Sequence, residues 1–97
     1  MKMSTNNNGA KLIVNGVEIR PGDRFTALFQ RSYKGDKLYF IARSDTGLII
    51  MPETGSPIYS AARHNVVEAE CKLLKLKCTE RNTCFAIVRV VRFTPVL

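Results

Sequence analysis

Short apolar stretches alternate along the chain with frequent turn signals. Glycine, proline, asparagine and aspartate mark these turns, because they supply unusual backbone angles or local side-chain hydrogen bonds. Strand-length apolar stretches between such turns predict a mainly β chain whose strands follow one another in hairpin order. The clearest turn signals are Asn15-Gly16, Pro21-Gly22-Asp23, Lys34-Gly35-Asp36 and Asp45-Thr46-Gly47.

The N-terminal half predicts a two-stranded hairpin followed by three strands in meander order. Asn15-Gly16 lies between β-branched residues and is typical of a type I′ turn, in which both central residues take positive φ. Pro52 and Pro57 interrupt the pattern after the third meander strand, since proline cannot donate to a ladder. One short helical turn is expected near residues 60–65. The predicted strands span residues 11–14, 17–20, 24–31, 37–43 and 48–51.

Residues 66–78 carry two conflicting patterns. Asn65 followed by Glu68 resembles a capping box, which indicates a helix. A helix would place the charged Glu70 inside its apolar stripe, whereas a strand separates apolar and charged side chains onto two faces. The alternation of the strand changes parity at Leu73-Leu74. One β-bulge explains this change, so we expect a bulged strand here, with Lys72, Lys75 and Lys77 on its polar side.

The run from Cys84 to Phe93 is the strongest predicted strand, because β-branched and aromatic residues dominate it. Residues 79–83 connect it to the preceding strand and have a usual hairpin-loop length. The whole pattern predicts a single small, strongly bent antiparallel barrel or sandwich with one helical turn near residues 60–65. The strand order, and Pro21-Gly22-Asp23 ahead of a strand, resemble SH3-like and OB-like small barrels in outline.

The sequence predicts a flexible N-terminal tail at residues 1–9 and one β domain at residues 10–97. The tail is polar, contains three consecutive asparagines and shows no hydrophobic periodicity. A chain of 97 residues with 45% hydrophobic residues suits one domain with its own core. It has no apolar run of the roughly 18 residues that a membrane helix needs, so we expect no membrane-spanning segment.

The N-terminus and the three cysteines predict a cytoplasmic protein with free thiols. Residues 1–9 lack the apolar segment of a signal peptide. An odd cysteine count then favours a reducing compartment. Cys78 and Cys84 flank the predicted hairpin loop, where a cross-strand disulfide is feasible in an oxidising setting, but in the cytoplasm we expect thiols.

No constellation of residues indicates catalysis, a metal or a cofactor. His64 with Cys71, Cys78 and Cys84 has the ligand chemistry of zinc, but it lacks the closely spaced ligand pairs of structural zinc sites. Buried cysteines acting as small hydrophobes explain the pattern better. No carboxylate or oxyanion-hole motif accompanies a Cys–His pair. We therefore expect a non-enzymatic protein without a cofactor.

The excess positive charge lies near the C-terminus. The net charge is +7; residues 1–70 carry 9 basic and 7 acidic side chains, and residues 71–97 carry 6 basic and one acidic. The C-terminal cations fall on the predicted hairpin, which is typical of a surface that binds nucleic-acid phosphates. The same pattern is also explained by an edge hairpin whose lysines prevent aggregation.

The first functional hypothesis is binding of a nucleic-acid backbone, DNA or RNA, without sequence specificity. Single-strand binders place aromatic rings beside basic grooves, so Tyr33 and Lys34 in a predicted exposed turn join the candidates. Phe85 and Phe93 are expected in the core. The candidate binding residues are Lys72, Lys75, Lys77, Arg81, Arg89, Arg92, Tyr33 and Lys34.

The second hypothesis is a small accessory protein, such as one encoded by a phage or mobile element. It would dock on the acidic surface of a larger protein and modulate or inhibit it. The apolar run Cys84–Val88 supports this hypothesis, because this strand or its partner, where it lies at a sheet edge, can pair with another chain. A third hypothesis is homo-oligomerisation through the same strand.

Overall fold

A computed structural model describes residues 10–81 and 83–96, so the predicted tail at residues 1–9 lies outside the described residues. This part of the chain is mainly β, as predicted. It contains no helix with the length and hydrophobicity of a membrane-spanning segment. The elements are β1 (Leu12–Val14), β2 (Val17–Ile19), β3 (Arg24–Lys34), β4 (Lys37–Arg43), β5 (Ile49–Pro52), a 3₁₀ turn (Pro57–Ala61), β6 (Val66–Cys78) and β7 (Cys84–Pro95).

Five strands close into a barrel in the order β3-β4-β5-β7-β6, and β6 pairs back with β3. The predicted small barrel is therefore confirmed, with one difference from an all-antiparallel arrangement. β5 and β7 are parallel, from Ile49 opposite Phe85 to Pro52 opposite Val88. A parallel pair needs a crossover connection, which the 3₁₀ turn and β6 supply. Of the two predicted barrel outlines, SH3-like and OB-like, this Greek-key strand order corresponds to the OB-like one.

The barrel interior is filled by apolar side chains from all five strands. Phe29 of β3 and Phe40 of β4 are its largest fully buried side chains. Along each strand buried and outward-facing residues alternate, as the two-residue period of a strand requires. The buried barrel residues are Ala27, Phe29, Phe40, Ala42, Ile50, Val67, Ala69, Cys71, Leu73, Ala86, Val88 and Val90.

The β1–β2 hairpin packs on the barrel through Leu12 and Ile19, which belong to the same buried cluster. Asn15 and Gly16 take φ values of 51° and 80°, which confirms the predicted type I′ turn. The Asp45 carboxylate, in the β4–β5 loop, accepts hydrogen bonds from their backbone N–H groups at 3.1 and 2.7 Å. The hairpin is thereby tied to the loop that connects β4 to β5.

The helical turn begins earlier than the expected residues 60–65, since it spans Pro57–Ala61. Proline suits the first helical position, because the N–H group that it lacks would have no partner within the helix there. The Ser56 hydroxyl accepts a hydrogen bond from the backbone N–H of Ile58 at 3.4 Å and so caps the turn. Ile58 is fully buried, so the turn adds to the core.

Two bulges bend the β6–β7 pair. In β6 the register shifts between Leu73 and Lys75, which is the predicted bulge, and a second shift lies between Glu70 and Cys71. Bulges increase local twist, which allows one long strand to take part in a closed barrel. β6 pairs with β3 only as far as Lys72. Among the described residues, its remaining length pairs with β7 alone.

Candidate functional site

Three of the predicted lysines lie along the outer side of β6. Lys72, Lys75 and Lys77 are all exposed, whereas Leu73 between them is buried in the barrel. The bulge keeps all three lysines outside, because it restores the alternation after the change of parity. None of them forms a salt bridge with a described residue. The sequence prediction that these lysines share one polar face is confirmed.

The two predicted arginines of β7 are held by carboxylates of the same chain. Arg89 Nε donates to Glu53 Oε2 at 2.8 Å, and Arg92 Nε donates to Glu70 Oε1 at 2.8 Å. These hydrogen bonds are the main reason why the pKa of each glutamate lies below its ordinary value. The charge of Arg89 is thus balanced by Glu53, whereas Glu70 is shared by Arg92 and Arg24. The hairpin cations without a carboxylate partner among the described residues are the three lysines and the exposed Arg81.

Cys78 and Cys84 form a disulfide across the base of the loop that carries Arg81. The expectation of free thiols is wrong for this pair, because it came from the compartment and not from the strand register. The register places the two cysteines directly opposite each other, with 4.0 Å between their Cα atoms. Within the loop, Thr79 Oγ1 accepts hydrogen bonds at 3.3 Å from the backbone N–H groups of Arg81 and Thr83.

The third cysteine lies inside the barrel. Cys71 is fully buried and carries a free thiol, and burial raises the pKa of that thiol to about 12. Its position matches the predicted role of a small buried hydrophobe. Over residues 10–81 and 83–96, no group of three or more His, Cys, Asp or Glu side chains is arranged to hold a metal ion.

The predicted residues of the β3–β4 turn lie apart from the lysines. Tyr33 is 60% exposed, with the Arg31 guanidinium 5.7 Å from its ring centroid, and Lys34 is also exposed. Lys72 pairs with Arg24 at the other end of β3. At about 3.3 Å per residue, the strand from Arg24 to Tyr33 spans up to roughly 30 Å. The structure therefore does not bring Tyr33 and Lys34 to the lysine face.

An apolar strip that the sequence did not predict lies beside the lysines. Because Ala86 and Val88 of β7 point into the barrel, Phe85 and Ile87 face outwards, where they are half-buried. Their parallel partners in β5 share this face and are also half-buried. We define the outer strip as Ile49, Met51, Phe85 and Ile87.

Cations border the outer strip on both sides. On the β6 side, Lys75 and Lys77 are the register partners of the two β7 residues of the strip. On the β4 side, Arg43 is the partner of Ile49. All three cations are exposed, and none forms a salt bridge with a described residue. At about 4.8 Å between strands, the row from Arg43 to Lys77 is roughly 14 Å wide.

Phe85 was expected in the core, and that expectation is wrong. The run Cys84–Val88 is apolar throughout, so its periodicity does not say which side faces inwards. The small Ala86 takes the interior position, and Phe85 lies outside. Arg89 carried the missing signal, because it shares the parity of Phe85 and is charged. Phe93 packs against the core cluster as expected.

The apolar run of β7 does not lie at a sheet edge. Residues 85–88 pair with β5 on one side and with β6 on the other. Their backbone groups are therefore not available for pairing with another chain, and of this strand and its partner only β6 offers the second and third hypotheses an unpaired edge. Residues 74–78 of β6 are one of the segments that pair on one side only among the described residues.

The fold and this surface define a class of protein, a small closed β-barrel with a cationic outer face around an apolar strip. Comparisons with protein-family models, with curated proteins and with solved structures found no match to the chain.

Proposed function

We propose that this protein binds single-stranded nucleic acid, without sequence specificity, on the face formed by the outer strip and its flanking cations. One observation carries the proposal: Lys72, Lys75 and Lys77 lie exposed on one face without a carboxylate partner in the described residues. Unpaired cations in a row attract an anion that the chain itself does not supply.

The lysines and Arg43 provide the attraction for the backbone. Each phosphate that a cation neutralises releases a counterion, so binding weakens as salt rises. For four such contacts with a single strand, the slope of log K against log salt is about −2.8. Arg89 and Arg92 add to this attraction when a phosphate replaces their glutamates, because exposed ion pairs contribute little to stability.

Phe85 provides a surface on which a base can stack. Stacking on an aromatic side chain contributes roughly 1–3 kcal/mol per base and is available only where the base is not already paired. A ring between Lys77 and Arg43 therefore favours a single strand over a duplex. OB-like barrels bind oligonucleotides on the outer side of their strands, and this likeness supports the proposal by analogy of fold alone.

Fluorescence anisotropy of a labelled oligonucleotide of about 12 nucleotides tests the proposal, a length within the range that one such barrel contacts. The test variant carries Lys72, Lys75 and Lys77 changed to Glu. The control variant carries the same charge change at other exposed lysines, namely Lys11, Lys34 and Lys37. Far-UV circular dichroism and urea unfolding establish that both variants are folded.

The expected result is binding that weakens steeply with salt, is lost in the test variant and is largely kept in the control. An equal loss in both variants would mean attraction by net charge only, and would contradict the assignment of this face. No binding of the unmodified protein at low salt, where electrostatic attraction is strongest, would overturn the function itself.

Docking on the acidic surface of a larger protein is the second candidate, and one feature favours it. Residues 74–78 of β6 pair with β7 only among the described residues, so their other edge can accept a strand that carries acidic side chains beside Lys75 and Lys77. A pull-down from cell lysate with the unmodified protein and the same two variants tests it. A partner kept by the lysine test variant would contradict this arrangement.

A further inference from the structure

The disulfide lies beside the end of the proposed binding face, on the inner side of the β6–β7 pair, where Cys84 packs against the core cluster. Lys77 and Phe85 form the ladder pair next to Cys78 and Cys84. A cation and the aromatic ring of the face are therefore one residue from the sulfur bridge. A change in the bridge therefore acts on these two groups through the backbone of the hairpin end.

The lysine-bearing end of β6 depends on this bridge. β3 stops supporting β6 at Leu73, whose backbone groups bond with Gly22 and Asp23 at 2.8 and 3.0 Å. Residues 74–78 follow the bulge and pair with β7 alone in the described part of the chain. This segment is therefore an edge strand, held by one ladder and by the packing of Leu76 against the core cluster, and the disulfide fixes its far end to β7.

The bridged pair is less enclosed than the third cysteine. Cys78 and Cys84 are half-buried residues at the end of the β6–β7 hairpin. Cys71 is enclosed in the barrel, where burial keeps its thiol protonated. Thiol–disulfide exchange requires a thiolate, so the redox chemistry of the native chain is confined to the bridged pair.

We propose that the Cys78–Cys84 disulfide is a redox control of the nucleic-acid face, with the oxidised form as the tight-binding form. This inference rests on the proposed function. In reduction, a small dithiol supplies two electrons, the S–S bond breaks, each sulfur takes a proton, and the dithiol closes to its own disulfide. The end of β6 then separates from β7 back towards the bulge. Lys75 and Lys77 lose their fixed positions.

Reduction should weaken binding of the single-stranded oligonucleotide roughly three- to tenfold, because the free protein must then order flexible side chains on binding. The measurement is anisotropy with the oxidised protein and with the protein reduced by dithiothreitol. Alkylation and mass spectrometry establish the redox state of each cysteine. Hydrogen exchange should show faster exchange of the Lys75 and Lys77 amides after reduction.

Two variants separate the bridge from other effects of the reductant. Cys78→Ser with Cys84→Ser should bind like the reduced protein and ignore dithiothreitol. Cys71→Ala keeps the bridge and should respond like the unmodified chain. Where the double serine variant does not fold, the reduced unmodified protein supplies the same comparison.

Equal affinity in the two redox states, with reduction verified by alkylation, would overturn the redox control and leave the proposed function standing. An equal effect of dithiothreitol on the double serine variant would also overturn it. No binding in either redox state would overturn the proposed function, and the control with it.

Discussion

Leu73→Ala tests which side chains of β6 face the barrel interior and which face solvent, as the bulge determines. The Leu73 side chain is fully buried, whereas Leu28 on β3 is 57% exposed, so Leu28→Ala removes the same atoms from the surface. Leu74, the extra residue of the bulge, is half-buried. Since a slip of one residue would exchange the two faces of β6, the three substitutions together report the register.

The expected losses differ several-fold. Leu73→Ala should lower the free energy of unfolding by about 3 kcal/mol, because the lost burial adds to the cavity that remains, within a usual range of about 2–5 kcal/mol. Leu28→Ala should lower it by less than about 1 kcal/mol, since more than half of the side chain is already in water. Leu74→Ala should fall between these values.

Urea unfolding followed by far-UV circular dichroism measures these losses, and the chain has no tryptophan to report by fluorescence. With an m-value of about 1–1.5 kcal/mol/M, Leu73→Ala should lower the midpoint by roughly 2–3 M. Equal losses for Leu73→Ala and Leu28→Ala, at unchanged m-values, would refute the assignment of Leu73 to the interior.

Two titratable side chains give further outcomes. The hydrogen bond from Arg92 lowers the pKa of Glu70, so Arg92→Gln should raise that pKa towards its ordinary value in an NMR titration; an unchanged pKa would contradict the pairing. The stabilisation by this pair is present above the unfolded-state pKa of Glu70 and is lost as the pH falls through its lowered folded-state pKa. The loss of stability caused by Arg92→Gln should therefore be largest near neutral pH and vanish in acid. The Cys71 thiol, with its pKa raised by burial to about 12, should resist iodoacetamide at pH 8 in the folded chain and react in urea, as counted by mass spectrometry. Rapid modification of the native protein would contradict its burial.

Structural features that depend only on residues close together in the chain could be predicted from the local sequence pattern. Asn15-Gly16 predicted its turn because few residue pairs tolerate two positive φ values in sequence. The bulge after Leu73 was predicted from the change of parity alone, and it correctly placed three lysines on one face. These signals lie within a few residues of the structure that they describe.

The remaining features depend on contacts between distant segments. Arg89 looked like a free cation because its partner Glu53 lies in a different part of the chain. Phe85 was misplaced because its neighbours on both sides are apolar, and only the neighbouring strands decide which side is the interior. The pairing of Cys78 with Cys84 depended on the exact ladder register, which composition does not contain.

The parallel pair between β5 and β7 also has a consequence for how the chain folds. The β3–β4 and β6–β7 hairpins join residues close in sequence, and a hairpin forms in about 1–10 μs. The β5–β7 and β3–β6 pairs must bring together distant segments, which carries a larger loop-closure entropy. We therefore expect barrel closure in milliseconds to seconds, as in other folds of high contact order. Until closure, the apolar inner faces of both hairpins are in contact with water, so we expect aggregation to compete with folding mainly before the barrel closes.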